Sequence, residues 1–387
     1  MSEANITPVL MPKWGLSMSE GVLVDWLVDE GAEIAVGDEI MEVETDKIAS
    51  AVEAADAGIL RRRVGAAGET YPIRALLGVL APPEVEDDII DAYIAAYEVP
   101  ADEDDEEAAA SLYEFVDTAA GRLRFARRGD DGPSLVLIHG FGGDLDNWLF
   151  NIDALAERAR VYAFDLPGHG QSVKTLEDPS LVGLAAALQA FLDAIEIDSA
   201  HLVGHSMGAA VAARFACDAP ARVQSLTLIG AAGLGPAINS AYIDGFVGAA
   251  SRRELKPVLF NLFADSELVN RGMVDDLLKY KRIDGVQEAL SSLAAELFPG
   301  GVQSAQLAGQ IDASGLSTLA IWGSDDAVIP AAQAQALNNA VVEIIDGAGH
   351  MVQMEKASAV NALILTHIFK GDATKLRPWP GIPGDGY

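Results

Sequence analysis

The five residues Gly204–Gly208, GHSMG, constrain the fold of this chain more than any others. They follow the apolar run AHLV and precede the alanine-rich AAVAARFA, so the chain passes from a buried strand into a helix within one turn. Such a turn leaves no room for side chains flanking Ser206, which is why glycines stand at 204 and 208. It also puts Ser206 at the head of a helix whose first amides have no partner within the helix. The same rhythm runs from residue 112 onward. SLVLIHG, RVYAFDL, AHLVGHS, SLTLIGA, STLAIWG and AVVEIID are short apolar runs separated by helical stretches, the pattern of a mostly parallel sheet covered by helices on both faces. Between 232 and 314 only amphipathic stretches such as SRRELKPVLFNLF and GVQEALSSLAAELF occur, so a helical cap is expected there.

Two later strand ends carry ionisable residues. GSDDAVIP follows TLAIW and supplies Asp326, with Asp325 as a rival, and DGAGHMVQ follows VVEII and supplies His350. A serine beside an imidazole that a carboxylate orients is equipped to attack acyl carbonyls. Ser206 is then the candidate nucleophile, His350 the general base and acid, and Asp326 the orienting charge. The amides of Phe141, in HGFGG, and of Met207 are the candidate oxyanion hole. DLPGHGQS, Asp165 to Ser172, reads as structural. His139, His169, His201, His205 and His367 read as packing or surface residues, with His139 and His205 lining the expected site. On HGFGG, GHSMG, WGSDDAVIP and GAGH in this order, residues 111–370 resemble the α/β-hydrolase family. A hydrolase fold that has lost activity and serves as scaffold is the plain alternative.

The N-terminal part is different. From Thr7 to about Leu80 short runs such as VLVDWLV, EIMEVET and GILRRRV are broken by glycines, which predicts a small all-β domain over 1–80. Within it, MPKWGLSMSEG and VETDKIASAVEAADAGIL resemble the lipoyl domains of 2-oxo-acid dehydrogenase complexes. That resemblance implies that Lys47, in ETDKI, carries covalent lipoate at a hairpin tip. Biotin carriers share the fold but have a methionine on each side of their lysine, where this chain has Asp46 and Ile48; a plain surface lysine is the remaining reading.

With 58 acidic and 26 basic residues, the formal charge of −32 excludes nucleic acid and anionic membrane as partners. Residues 81–110 hold twelve Asp or Glu and no Lys or Arg, which predicts an extended acidic linker, reaching about 100 Å if fully stretched, with IIDAYIAAY able to form one helix inside it. The single cysteine, Cys217, forms no internal disulfide and fits a reducing cytoplasm. No apolar run approaches the 18 or more residues of a membrane helix, no leader pattern opens the chain, and no metal-ligating cluster is evident. Residues 371–387 are rich in proline and glycine and are expected as a surface tail.

One lipoyl-like domain joined to an α/β-hydrolase resembles the acetyltransferase components of acetoin dehydrogenase complexes. The usual His-x-x-x-Asp-Gly motif of lipoyl-linked acyltransferases is absent, and so is a clear peripheral-subunit-binding domain. The resemblance implies transfer of acetyl from S-acetyldihydrolipoyl-lysine to coenzyme A. It implies as partners a thiamine-dependent acetoin dehydrogenase component and dihydrolipoamide dehydrogenase; a homo-oligomer is compatible with the sequence. Arg252, Arg253 and Lys256 are the candidate contacts for coenzyme A phosphates, or simply a solvated helix face. The alternative function is a serine hydrolase, an esterase, thioesterase or carbon–carbon bond hydrolase, tethered by its lipoyl domain. Lys47→Arg keeps the charge and should abolish lipoylation, read as the loss of one lipoyl mass from protein made with a lipoate ligase. Lipoate found on Lys13 or elsewhere in that variant would refute the assignment.

Overall fold

The computed structural model describes residues 6–14, 18–45, 49–99 and 113–370, which fall into two compact units, one within 6–99 and one within 113–370. The first unit is a sandwich of two four-stranded antiparallel sheets built from β1 (Thr7–Leu10), β2 (Glu20–Trp26), β3 (Glu33–Ile34), β4 (Glu39–Glu44), β5 (Ala49–Glu53), β6 (Gly58–Arg63), β7 (Thr70–Pro72) and β8 (Leu76–Leu80). One sheet has the order β1-β8-β6-β3 and the other β5-β4-β2-β7. Alternating residues, among them Leu23, Met41, Val43, Leu60 and Leu77, fill the space between them. Gly65 and Gly78 are needed for close packing, since a Cβ on either would lie 2.9 Å from Leu77 or the Trp26 ring. β4 and β5 pair as far as Glu44↔Ala49, so residues 45–48 connect them. Lys47 belongs to that connection and lies outside the described residues, as does the tail 371–387.

The helix that the sequence allowed within the expected linker 81–110 is present and docked, and residues 100–110 of that linker lie outside the described residues. Asp87–Ala96 form a helix, α1, docked on the outer face of the β1-β8-β6-β3 sheet. β8, LLGVL, is buried along its whole length because Leu77 and Leu80 face the sandwich interior while Leu76 and Val79 pack with the fully buried Ile90 of α1. The acidic segment also has a counter-charge, supplied by β6. Arg61 donates to the carbonyls of Pro82 and Val85 and to Asp87 at 2.8, 3.1 and 2.8 Å, and Arg62 pairs with Asp87 and Asp91. Tyr97 closes the end of α1 by donating to the Arg74 carbonyl at 2.8 Å.

The second unit is an eight-stranded sheet of order β16-β15-β14-β13-β11-β12-β10-β9. Its strands are β9 (Glu114–Thr118), β10 (Gly121–Arg128), β11 (Ser134–Ile138), β12 (Arg160–Phe164), β13 (Ala200–His205), β14 (Val223–Ile229), β15 (Thr318–Gly323) and β16 (Val341–Ile345). From β12 to β16 the pairing is parallel, and β9 and β10 close one edge antiparallel. The central strands are continuous apolar runs because helices cover both faces. These helices are α2 (Ile152–Ala156), α3 (Leu181–Ala194), α4 (Met207–Asp218), α5 (Ser240–Gly248), α6 (Arg252–Leu259), α7 (Arg271–Lys281), α8 (Val286–Leu297), α9 (Ala308–Ser314), α10 (Val352–Glu355) and α11 (Ala357–Ile368).

α5 to α8 form the insertion between β14 and β15, as a cap would. α9, the last helix before β15, packs against α4 beside the sheet. The helices of the insertion are capped locally. Asn239 accepts the Tyr242 amide, Asn270 the Met273 amide, and Ser251 with Glu254 forms a capping box. Buried Lys281, at the end of α7, donates to the carbonyls of Phe246, Val247 and Ala249, satisfying acceptors that the end of α5 leaves open.

Replacing Ile90 by Asp should strip α1 from the sheet, since it puts a charge where the side chain is fully buried. Limited proteolysis of the intact protein should spare residues 84–97 in the wild type and cut there in the variant. Equal cutting in both would show that α1 is not held.

Candidate active site

Ser206 sits between β13 and α4 with φ 54° and ψ −119°, a conformation that non-glycine residues avoid. Backbone bonds hold it there. Its amide donates to Ile229 O at 2.8 Å, and its carbonyl accepts from Ala209 and Ala232, both at 3.1 Å. The flanking glycines are required by contact: a Cβ on Gly204 would lie 2.4 Å from Gly208 O, and one on Gly208 would lie 2.3 Å from Ile138 O and His139 O.

Asp326 and His350 arrive from the turns after β15 and β16. His350 Nδ1 donates to Asp326 Oδ2 at 2.8 Å, and both side chains are almost wholly buried. The other carboxylate oxygen, Oδ1, accepts the amides of Val328 and Ile329 at 2.8 Å each, which fixes the carboxylate against rotation. Asp325, the rival acid, is exposed. Because Asp326 accepts the hydrogen bond from Nδ1–H, it favours the tautomer whose lone pair is on Nε2, the one a general base needs.

Ser206 and the His–Asp pair are joined through two intermediaries. Gly230, with φ 49°, follows Ile229, and a Cβ there would lie 3.2 Å from His350 Nδ1 and 3.4 Å from Asp326 Oδ2. His205 Nε2 donates to the His350 carbonyl at 3.0 Å, with the two rings 4.7 Å apart. Glu355 then ties the histidine's loop to the cap, accepting Gly349 N at 2.6 Å and Ala264 N at 2.8 Å. Burial raises the Glu355 carboxyl above its ordinary range despite these bonds.

The loop 139–143 passes directly over Ser206, since a Cβ on Gly140 would lie 3.0 Å from Ser206 Cβ. Among the described residues the Phe141 amide has no acceptor, and Met207 is the first residue of its helix. The Gly142 amide, by contrast, is committed to His169 Nε2 at 3.1 Å. The Phe141 ring meets those of Phe246 and Phe298, each at 6.0 Å, so capping helices and loop share one aromatic cluster. Tyr242 is buried near Asp326, and burial and that charge raise its hydroxyl. A small, partly open cavity lies beside Met207 between Leu181, Ala210, Leu297 and Phe298.

DLPGHGQS is a brace, as its sequence suggested. Asp165 is fully buried and held by Arg124 Nε at 2.6 Å and by the amides of Leu145 and Gln171. The role of His169 was not legible, because nothing in PGHG says what the ring faces; nor did sequence signal Glu355, Gly230 or Tyr242. Arg252, a suggested coenzyme A contact, pairs with Asp275 on the next helix, while Lys256 stands over Phe260. Among the described residues no cluster suited to a metal ion occurs, and no helix is long and apolar enough to cross a membrane.

Five histidines are held below their ordinary range, chiefly by burial: His139 and His205 by direction, His169 to about 3, His201 and His367 to about 4. Between about pH 6.5 and 4 the unfolded chain therefore binds protons that these rings refuse in the folded state. Stability is full above pH 6.5 and falls as the pH drops, by at most about 1.4 kcal/mol per ring and pH unit. The melting temperature of the hydrolase unit should fall steadily from pH 7 to 5.5, above the carboxylate range; a flat or rising calorimetric profile would contradict this.

Two family models match the chain. One describes the alpha/beta hydrolase fold and covers residues 133–357; the other, described as biotin-requiring enzyme, covers 7–72. A protein of Cupriavidus necator is 56% identical over 364 residues, 94% of this chain and 97% of its own length. A protein of Pseudomonas putida is 47% identical over 95% of this chain and 100% of its own length. Both are named dihydrolipoyllysine-residue acetyltransferase component of acetoin cleaving system. Among solved structures, a meta-cleavage product hydrolase from Pseudomonas fluorescens IP01 matches with a TM-score of 0.61 and 24% identity, over 67% of this chain and 98% of that one, a likeness of fold.

Proposed function

Because the chain belongs to the dihydrolipoyllysine-residue acetyltransferase components of acetoin cleaving systems, we propose that it divides one reaction between its two units, the first holding the acyl donor and the second moving the acyl group. The reaction is transfer of acetyl from S-acetyldihydrolipoyl-lysine to coenzyme A. The observation that carries the division of labour is the His350–Asp326 pair beside the strained Ser206 turn, on one chain with a lipoyl domain. The antiparallel closure of β4 on β5 at Glu44↔Ala49 fits a short connection that presents Lys47, and lipoate there supplies a thiol that carries acetyl as a thioester.

Ser206 Oγ attacks the thioester carbonyl while His350 Nε2 takes the hydroxyl proton. The amides of Phe141 and Met207 stabilise the oxyanion as the carbonyl becomes tetrahedral. The carbon–sulfur bond breaks, His350 returns the proton to the departing thiolate, and acetyl remains on Ser206. The thiol of coenzyme A then attacks, giving its proton to His350, and collapse of the second tetrahedral species restores Ser206 Oγ–H and releases acetyl-coenzyme A. Asp326 holds the Nδ1 proton throughout and stabilises the transient imidazolium. Ser206 Oγ has no hydrogen bond among the described residues, and the proposed attack requires one to His350 Nε2 in the donor complex. The aromatic cluster of Phe141, Phe246 and Phe298 keeps water from competing with the thiol.

The thiamine-dependent dehydrogenase that loads the arm and the dihydrolipoamide dehydrogenase that reoxidises it are the partners this chemistry requires. Identity along nearly the whole length of two acetyltransferase components favours transfer over hydrolysis. In Ser206→Ala the partner dehydrogenase should still acetylate the arm, and formation of acetyl-coenzyme A should fall by on the order of 10⁴ or more. Intact mass spectrometry should show acetylated lipoyl domain accumulating. Near-normal transfer by the variant would mean that the thiol attacks the donor directly, without an acyl-serine.

A further inference from the structure

Two of the buried histidines outside the triad grip the loop that passes over Ser206. A trans peptide is planar, so the Gly140 carbonyl and the Phe141 N–H share one plane and point in opposite directions. The Gly140 carbonyl accepts from His139 Nδ1 at 2.8 Å and from the Gly143 amide at 3.2 Å, which turns the Phe141 N–H the other way. The next plane, Phe141 C=O to Gly142 N–H, is held at its amide by His169 Nε2 at 3.1 Å. With glycines at 140, 142 and 143 the loop has little stiffness of its own, and Gly142 lies at φ 73°. Holding the plane on each side of Phe141 is what leaves its N–H one direction.

We propose, building on the reading of Phe141 as an oxyanion donor, that His169 is a positioning residue for acyl transfer: by accepting the Gly142 amide it locks the peptide after Phe141 and so aims the Phe141 N–H at the acyl oxygen. Only one form of the ring can do this. A backbone amide can only donate, so Nε2 must be unprotonated, and the proton sits on Nδ1, which faces the Pro167 carbonyl at 3.1 Å. The ring is fully buried, 5.0 Å from the His139 ring and 6.4 Å from that of Phe141, and its pKa of about 3 keeps it neutral. Protonation or loss of the ring leaves the Gly142 amide a buried donor without an acceptor, and the glycine-rich loop turns to satisfy it.

Two isosteric replacements separate this role from plain packing. Glutamine at 169 places a carbonyl oxygen at the reach of Nε2 and can still accept the Gly142 amide; asparagine reaches only the position of Nδ1. Wild type, His169→Gln and His169→Asn are compared in the lipoylated full-length protein for kcat and KM of acetyl-coenzyme A formation. Their affinity for a trifluoromethyl ketone analogue of the acetyl thioester is measured alongside, since the serine adduct of that ketone carries the oxyanion. Loss of a single oxyanion donor costs roughly 10² to 10³ in kcat. His169→Asn should lose on that order in kcat and in ketone affinity with KM within a few-fold, and His169→Gln should recover most of both. Equal loss in the two variants, or a loss confined to KM or melting temperature, would overturn the proposal.

Should His169→Asn fail to fold, nitrogen NMR of selectively labelled histidine in the wild type still decides. The Nδ1–H tautomer at pH 7 supports the proposal, and an Nε2–H or doubly protonated ring refutes it. A wild type that forms acetyl-coenzyme A but no ketone adduct would refute the acyl-serine reading. Ketone binding with intact kcat in His169→Asn would refute only the role of His169.

Discussion

The catalytic end of the sheet depends on the backbone of one residue, Ser206, held at φ 54° and ψ −119°. That conformation costs about 1–3 kcal/mol and persists only where the surroundings over-determine it. Here they do so from the two strands that flank β13. β14 accepts the serine's amide, the segment after β14 returns an amide to its carbonyl, and the loop after β11 lies so close above Gly208 that no side chain fits between. The same Gly204–Gly208 contacts bring the start of α4 tight against the end of β11 and the loop that follows it. The proposed nucleophile and the two amides proposed to face it thus share one packing solution.

The charges at the site are treated by an equally strict rule: every buried ion has its partners, and buried histidines outside the triad are kept uncharged. Asp326 accepts from His350 and two amides, and Asp165 accepts from Arg124 and two amides. Breaking one partner of such a buried set costs several kcal/mol because the other is left unpaired. Lys281 and Lys174 follow the rule with carbonyls in place of carboxylates, each gathering three around its ammonium. The ions inside the second unit are thus held by hydrogen bonds, in several cases without an opposite charge.

Much of this was legible from the sequence where a local motif has a steric cause. Glycines at 204 and 208 announce a turn that excludes side chains, and the long apolar runs announce a sheet covered on both faces. Asp326 and His350 were found because each follows a strand that must end at the same edge of a parallel sheet. What stayed hidden depends on partners far apart in the chain. Nothing near Asp87 and Asp91 reveals that Arg61 and Arg62 wait on β6, so the acidic segment read as self-repelling when its first half is paired and docked. Glu355 and His169 escaped for the same reason: a carboxylate and an imidazole each satisfy backbone amides that only the folded loop brings to them. The reading of Lys47 rests on resemblance alone, through the residues beside it.

The burial of β8 on both faces bears on how modular such a chain is. Its first unit looks portable, a self-contained carrier that evolution or an engineer might splice onto another enzyme at the end of its last strand. Cut at Leu80, however, it would lose the helix whose Ile90 covers Leu76 and Val79 and the acidic side chains that neutralise Arg61 and Arg62. The piece that can be moved without baring an apolar face extends through Tyr97, where the hydroxyl on the Arg74 carbonyl closes the unit. The seam between carrier and enzyme therefore lies well inside what reads, by composition, as the spacer between them.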